Sequence, residues 1–245
     1  MKAVTPRTIL SSLPVAYLDH ITGEVTSMIL APHPDDESLA CGGLIAESCA
    51  RARPPIVVIV TDGTGSHPSS VSYPPTRLRD LREREAASAV GRLGLPLERL
   101  LFMRLRDSHM PRAGPFYYSA IEWLARLFNS YHCGAILAPW LCDPHCDHQA
   151  TQEMARVLAS RVNAKLLSYP VWGWLLPAGA IGSDENLVGW RLDIQSHLAA
   201  KRNAIKSYES QYSDLIKDDP NGFTLPADLL SVFEQPFETF LDTTW

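Results

Sequence analysis

No stretch of the chain approaches the roughly 18 consecutive apolar residues that a bilayer-spanning helix needs, so a membrane span is not expected. The start lacks the basic-then-apolar design of a secretory leader, which predicts a cytoplasmic protein. Positive charge is not in surplus either, since 22 Lys and Arg against 27 Asp and Glu give a net charge of -5. The arginine-rich stretch from Arg77 to Arg84 alternates with acids, so it offers no basic stripe, and nucleic acid is not an expected partner. Cysteine is scarce and odd in number, with five residues at 41, 49, 133, 142 and 146. Without a secretory context these read as reduced thiols, most of them buried as small apolar groups, rather than as a disulfide framework. Cys142 and Cys146 flank His145, but a closed structural zinc site wants four ligands in short-spaced pairs, and there is no second cysteine pair. Internal repeats and low-complexity linkers are absent as well.

What the chain has is apolar sequence in short, regularly spaced pieces. At 245 residues and 46% hydrophobic, it can bury a sizeable core. Thr26 to Ala31, Pro55 to Thr61, Leu100 to Met103, Gly134 to Pro139 and Lys165 to Tyr169 are brief β-rich runs, the pattern of strands buried on both faces. Between them, helix-spaced apolar positions recur, as in Leu39, Leu44 and Ile45, in Leu78, Leu81, Ala86, Ala89 and Val90, and in Ile121, Leu124 and Phe128. Strand–helix alternation of this kind predicts an α/β fold, a Rossmann-like and mainly parallel sheet with helices on both faces and a site at the strand C-terminal ends. The expected organisation is a single domain over 1–245, with an irregular excursion at 171–189 and a C-terminal extension at 213–245. The aromatic tail of that extension can pack on a sheet edge, on the pocket rim, or on a partner subunit in a homo-oligomer. Gly42-Gly43 reads as a simple close-packing device, and His67, beside a proline, as a surface loop residue.

Two clusters carry chemistry. The first, Ala31-Pro32-His33-Pro34-Asp35-Asp36-Glu37, leaves the end of the first strand and enters a helix. Its prolines stiffen the turn, and the acidic residues suit the positive end of the helix dipole. His33 and Asp36, three apart across the junction, can point at one spot, whereas Asp35 must point elsewhere. The second cluster, Asp143-Pro144-His145-Cys146-Asp147-His148, follows the Gly134 strand in the same way. His33, Asp36 and His148 make a two-histidine, one-carboxylate set that leaves an open position on a zinc ion, as catalytic sites do. The same set suits iron(II), so the residues alone leave the metal open. Asp35 is then the natural general base, and His145 can stabilise an oxyanion or donate a proton, with Asp147 orienting it. The bland reading of Arg82 and Glu85 is a surface ion pair; the functional one is an arginine aimed at a polar substrate.

These clusters resemble the (A/P)HPDDE and HxDH motifs of the LmbE-like, or PIG-L, family of zinc-dependent deacetylases. Supporting matches are Thr61-Asp62-Gly63, Arg82-x-x-Glu85 ahead of Leu93-Gly94, and Lys201 to Gln211 ending in Ser210-Gln211, so the resemblance runs from about 27 to 212. It implies zinc on His33, Asp36 and His148, Asp35 as base, His145 as the charge-stabilising group, and Arg82 in contact with substrate, with Asp107 a second candidate of that kind. It also implies hydrolysis of the N-acetyl group of an N-acetylglucosamine conjugate, a small-molecule partner. Cys146 departs from the family at a variable place where proline is frequent. A catalytically inactive sugar-binding protein with a residual metal site is the alternative, and an iron oxygenase a third reading that leaves Asp35 without a task.

Overall fold

The computed structural model describes residues 5–180 and 187–243. Its strands are β1 (Val15–Ala16), β2 (Thr26–Ala31), β3 (Ile56–Thr61), β4 (Leu100–Leu105), β5 (Cys133–Pro139), β6 (Lys165–Tyr169), β7 (Gly189–Asp193) and β8 (Phe237–Asp242). The α-helices are α1 (Pro6–Ser12), α2 (Leu18–Thr22), α3 (Asp36–Ala50), α4 (Pro75–Arg92), α5 (Pro115–Ser130), α6 (Cys146–Val162), α7 (Leu198–Ile205), α8 (Glu209–Tyr212) and α9 (Ala227–Phe233). The strands form one eight-stranded sheet in the order β1-β7-β8-β6-β5-β2-β3-β4. Pairing is parallel except where β8 runs antiparallel between β6 and β7.

Period-two alternation explains the two-faced core. Along β2, Ile29 and Ala31 face the layer built with Leu39, Leu44 and Ile45 of α3 and Ala86, Ala89 and Val90 of α4. Met28 and Leu30 face the opposite layer, with Ile121, Leu124 and Phe128 of α5 and Met154 and Leu158 of α6. From β2 the chain first builds outward through β3 and β4, then crosses back to place β5 on the other flank of β2. The loops leaving β2 and β5 therefore part to opposite faces, opening a crevice at their carboxyl ends where open α/β sheets form sites.

The expectation for Gly42-Gly43 holds in detail. A methyl on Gly43 would overlap the side chain of buried Ile194, and one on Gly42 would press on the Lys201 stem. Close approach also lets Glu238 of β8 accept from Gly43 N at 2.6 Å, Leu44 N at 2.8 Å and Lys201 Nζ at 2.7 Å. Gly43→Ala should therefore lower the urea midpoint, because overpacking of about 1–3 kcal/mol outweighs the 0.5–1 kcal/mol that alanine ordinarily gains in a helix. An unchanged or raised midpoint would contradict this packing.

Elsewhere the fold departs from expectation. The tail is no appendage, since β8 lies inside the sheet. Its alternation is masked because Glu238 and Thr239 are polar yet buried, and the partners of Glu238 come from distant segments. The edge strand β1 is two residues long, too short to show a period, and β7 begins only at Gly189, where the excursion was expected to end. Of that excursion, 181–186 lies outside the described residues. The late helix is two pieces, α7 and α8, broken at Lys206 to Tyr208. Cys41 alone among the five thiols is fully buried, and Cys146 is exposed.

Candidate active site

At the end of β2 the first motif turns sharply into α3. Pro32 O accepts from Thr61 N at 2.9 Å, tying the turn to the end of β3. Asp36, in the first turn of α3, folds its Oδ2 back to accept from His33 N at 2.9 Å, which brings it within 3.2 Å of His33 Nδ1. Asp35 sits at φ +147°, a conformation L residues rarely adopt, and the loop is held in it from several sides. Glu37 accepts from Asp35 N at 3.1 Å and from the Tyr208 hydroxyl. Arg82 donates to Pro34 O at 2.7 Å, Gly63 O at 2.8 Å and Asp35 Oδ2 at 3.1 Å. The two carboxylates thus diverge, Asp36 toward the histidines and Asp35 toward Arg82.

The second motif arrives from β5 and starts α6. His148 is fully buried, and its Nδ1 lies 2.9 Å from Asp143 Oδ2, which fixes the ring. Its Nε2 lies 3.3 Å from Asp36 Oδ2 but makes no hydrogen bond, a buried polar atom without a partner. Asp143 also accepts from Val171 N at 3.0 Å, Trp172 N at 3.3 Å and Gly173 N, so one buried carboxylate orients His148 and anchors the next loop. The expected pairing of Asp147 with His145 differs in kind. The Asp147 carboxylate accepts from Ser108 N at 2.7 Å and faces His33 Nε2 at 3.2 Å, while only its backbone N reaches His145 Nδ1. Because that N–H donates to Nδ1, a neutral His145 carries its proton on Nε2.

The two spacings that Asp36 Oδ2 makes to the histidine nitrogens suit a small divalent cation. In a tetrahedron with ligand bonds of about 2.0–2.1 Å, neighbouring donors stand about 3.3 Å apart, and Asp36 Oδ2 is 3.2 Å from His33 Nδ1 and 3.3 Å from His148 Nε2. Each of His33, His145 and His148 also offers a ring nitrogen within 4.8 Å of the others. Electrostatics agree. Burial disfavours charge on His33, but the Asp107, Asp147 and Asp36 carboxylates outweigh it and hold its pKa well above the ordinary value. Against burial again, Asp36 and Asp143 raise His148 to about 9. Burial works against ionised Asp36 too, yet His148 and His33 hold it well below the usual carboxylate range. This pocket of carboxylates draws positive charge onto its histidines, the same demand that a metal ion meets. His145 behaves oppositely: burial, then the charges on His33 and His148, lower it to about 4.

His33, Asp36 and His145 border a cavity of about 190 Å³. Asp35, Arg82, Asp107 and His145 all line it. Asp107 accepts from Gly65 N at 2.8 Å and stands 3.6 Å from His33 Nε2, so it braces the loop after β3 and the histidine together. Arg82 and Glu85 are buried, not a surface pair; Glu85 turns away to accept from Ser210 N and Oγ at 2.8 and 2.6 Å. Trp172 and Phe223 meet edge to face and close the apolar wall. His67, expected at the surface, is 3% exposed because the 218–223 segment covers it, with Asp219 capping Ser69 N and Gly222 against the ring. Sequence analysis places Asp143 in the second cluster and Gln211 in a supporting match but gives neither a role in the site. Asp143 could have been flagged by its place at the head of the second motif, whereas Gln211 reaches the cavity only through tertiary packing.

The profile described as "PIG-L: GlcNAc-PI de-N-acetylase" matches residues 28–159. No curated protein sequence matches the chain. Among solved structures, N,N'-diacetylchitobiose deacetylase from Pyrococcus horikoshii aligns at TM-score 0.64 and 20% identity, over 88% of this chain and 82% of that one. A triple mutant of the deacetylase of the teicoplanin biosynthetic pathway aligns at TM-score 0.67 and 17% identity, over 89% and 97%. A 4-carboxy-2-hydroxymuconate hydratase from Pseudomonas putida aligns at TM-score 0.56 and 20% identity, over 76% and 80%. At such identities the likeness establishes the fold, and the hydratase is a reminder that this fold alone does not choose a reaction.

Proposed function

The chain belongs to the GlcNAc-PI de-N-acetylase (PIG-L) family, and from that membership we propose that it hydrolyses the N-acetyl amide of an N-acetylglucosamine-type conjugate, releasing acetate and a free amine. The carrying observation is that Asp36 Oδ2 lies 3.2 Å from His33 Nδ1 and 3.3 Å from His148 Nε2, a buried atom without a hydrogen-bond partner, while His33, Asp35 and Asp36 line the cavity. In this reading those three residues hold zinc, which when bound supplies Lewis acidity that acidifies water and polarises a carbonyl.

The remaining work falls to the chain's own groups. Asp35 takes the proton of the attacking water and is the base, its carboxylate oriented by Arg82 NH2. Burial pushes the Asp35 carboxyl up to about 8 while Arg82 pulls it down. The Asp36 carboxylate also pushes it up, and the charge on His33 pulls the same way as Arg82, toward the ionised form a base requires. His145, neutral and with its proton on Nε2, donates a hydrogen bond to the developing oxyanion. The protonated Asp35 returns its proton to the departing amine. Asp147 keeps the His33 ring in place through Nε2, the role such carboxylates play behind metal-binding histidines. Asp107 helps to shape the substrate wall. Among the described residues no helix is long and apolar enough to cross a membrane.

The test is acetate release across a panel of N-acetylglucosamine conjugates with bound metal quantified. Release that disappears on chelation and returns with zinc is expected. Ligand binding without acetate release from any conjugate would sink the deacetylase reading in favour of a sugar-binding protein.

A further inference from the structure

Beyond His148 Nε2, two residues that line the cavity each hold a buried polar atom without a hydrogen-bond partner, Gln211 at Oε1 and Arg82 at Nε. Gln211 is fully buried and rigidly set. Its backbone N donates to Tyr208 O at 2.9 Å and its O accepts from Leu225 N at 2.8 Å. The amide orientation follows from its neighbour. The Ser210 hydroxyl spends its proton on Glu85 Oε2 at 2.6 Å, so toward Gln211 it can only accept. The atom facing it at 3.1 Å is therefore Nε2, which also reaches Ser66 Oγ at 3.4 Å, and Oε1 is left with a free lone pair. Arg82, 2% exposed, has committed NH1 and NH2 to Gly63 O, Pro34 O and Asp35 Oδ2, which leaves Nε–H as a spare donor. Glu85, one turn further along α4, grips Ser210, so the Gln211 segment is docked beside the Arg82 stretch of the same helix.

A spare acceptor on one cavity-lining residue and a spare donor on another are complementary to a hydroxyl, the group that both gives and takes a hydrogen bond. Buried polar groups without partners are costly, so a ligand that satisfies both is selected over one that satisfies neither. The aromatic part of the lining, Trp172 and Phe223, is apolar and suits the C–H face of a pyranose ring. We propose that Gln211 is a substrate-binding and specificity-determining residue, its Oε1 accepting from a ring hydroxyl of the amino sugar that in turn accepts from Arg82 Nε. The proposal rests on the deacetylase reading above. Because the contact is to a hydroxyl rather than to the reacting amide, it holds ground and transition states alike, and its loss appears in KM.

The experiment compares wild type and Gln211→Met on one N-acetylglucosamine conjugate and on its singly deoxygenated analogues, following acetate. Gln211→Met should raise KM roughly 10- to 100-fold with kcat within about twofold. In wild type, deletion of one particular ring hydroxyl should give a matching penalty, and the variant should show no further loss on that analogue. The wild-type analogue series stands even if the variant fails to fold. An unchanged KM in a folded variant, equal tolerance of every deoxy analogue by wild type, or additive penalties would each overturn the assignment of Gln211 alone. Absence of acetate release from the parent conjugate by wild type would instead remove the deacetylase reading and this inference with it.

Discussion

Asp35→Asn should slow acetate release by about 10²- to 10⁴-fold while leaving bound zinc at the wild-type amount, the range expected when a positioned base is removed. The substitution keeps the shape of the side chain and an oxygen that can still accept from Arg82 NH2 at the 3.1 Å separation seen here. Asparagine also tolerates unusual positive φ better than most residues, which matters at φ +147°. What it cannot do is take a proton from water. Because Asp36 and Asp35 point in different directions, metal content and turnover should separate in this variant. Turnover close to wild type would remove Asp35 from the base role. Loss of zinc in parallel with activity would mean that the two adjacent carboxylates act as one group.

Asp143→Ala should weaken zinc binding by about 10- to 100-fold, although Asp143 is not itself among the three proposed donors. Its Oδ2 fixes His148 through Nδ1 and thereby presents the Nε2 lone pair toward Asp36. The same carboxylate takes the backbone N–H groups of Val171, Trp172 and Gly173, so its removal frees the loop that forms the aromatic wall. The expected result is therefore weaker metal retention against a competing chelator together with a raised KM, in a protein whose sheet still unfolds cooperatively. Unaltered zinc affinity would show that His148 is oriented by other means.

How much of this could be read in advance depended on where the determining contacts lie. The central strands were legible because β2, β3, β5 and β6 are buried on both faces, so their apolar runs coincide with the elements themselves. The convergence of His33, Asp36 and His148 was legible for a related reason: each motif leaves the carboxyl end of such a strand, and the topology makes those strands neighbours. The β8 strand was not legible, because Glu238 breaks its apolar pattern and is stabilised only by Lys201 and by helix amides about 195 positions away. The burial of His67 and the place of Gln211 at the cavity were not legible for the same cause. Their burial is created by segments that meet only in the folded chain, at Asp219 and Gly222 in one case and at Ser66 and Leu225 in the other. The Arg82 spacing was read as a surface pair or a substrate arm, and the structure makes it chiefly a clamp on the Pro34–Asp35 turn, with one donor left over.

Anomalous diffraction at the zinc edge, from crystals of the protein loaded with one equivalent of zinc, tests the convergence most directly. A single strong peak within bonding distance of His33 Nδ1, Asp36 Oδ2 and His148 Nε2 is the predicted result. A peak held by other residues, or no ordered zinc at all with those three side chains left as they stand here, would contradict it.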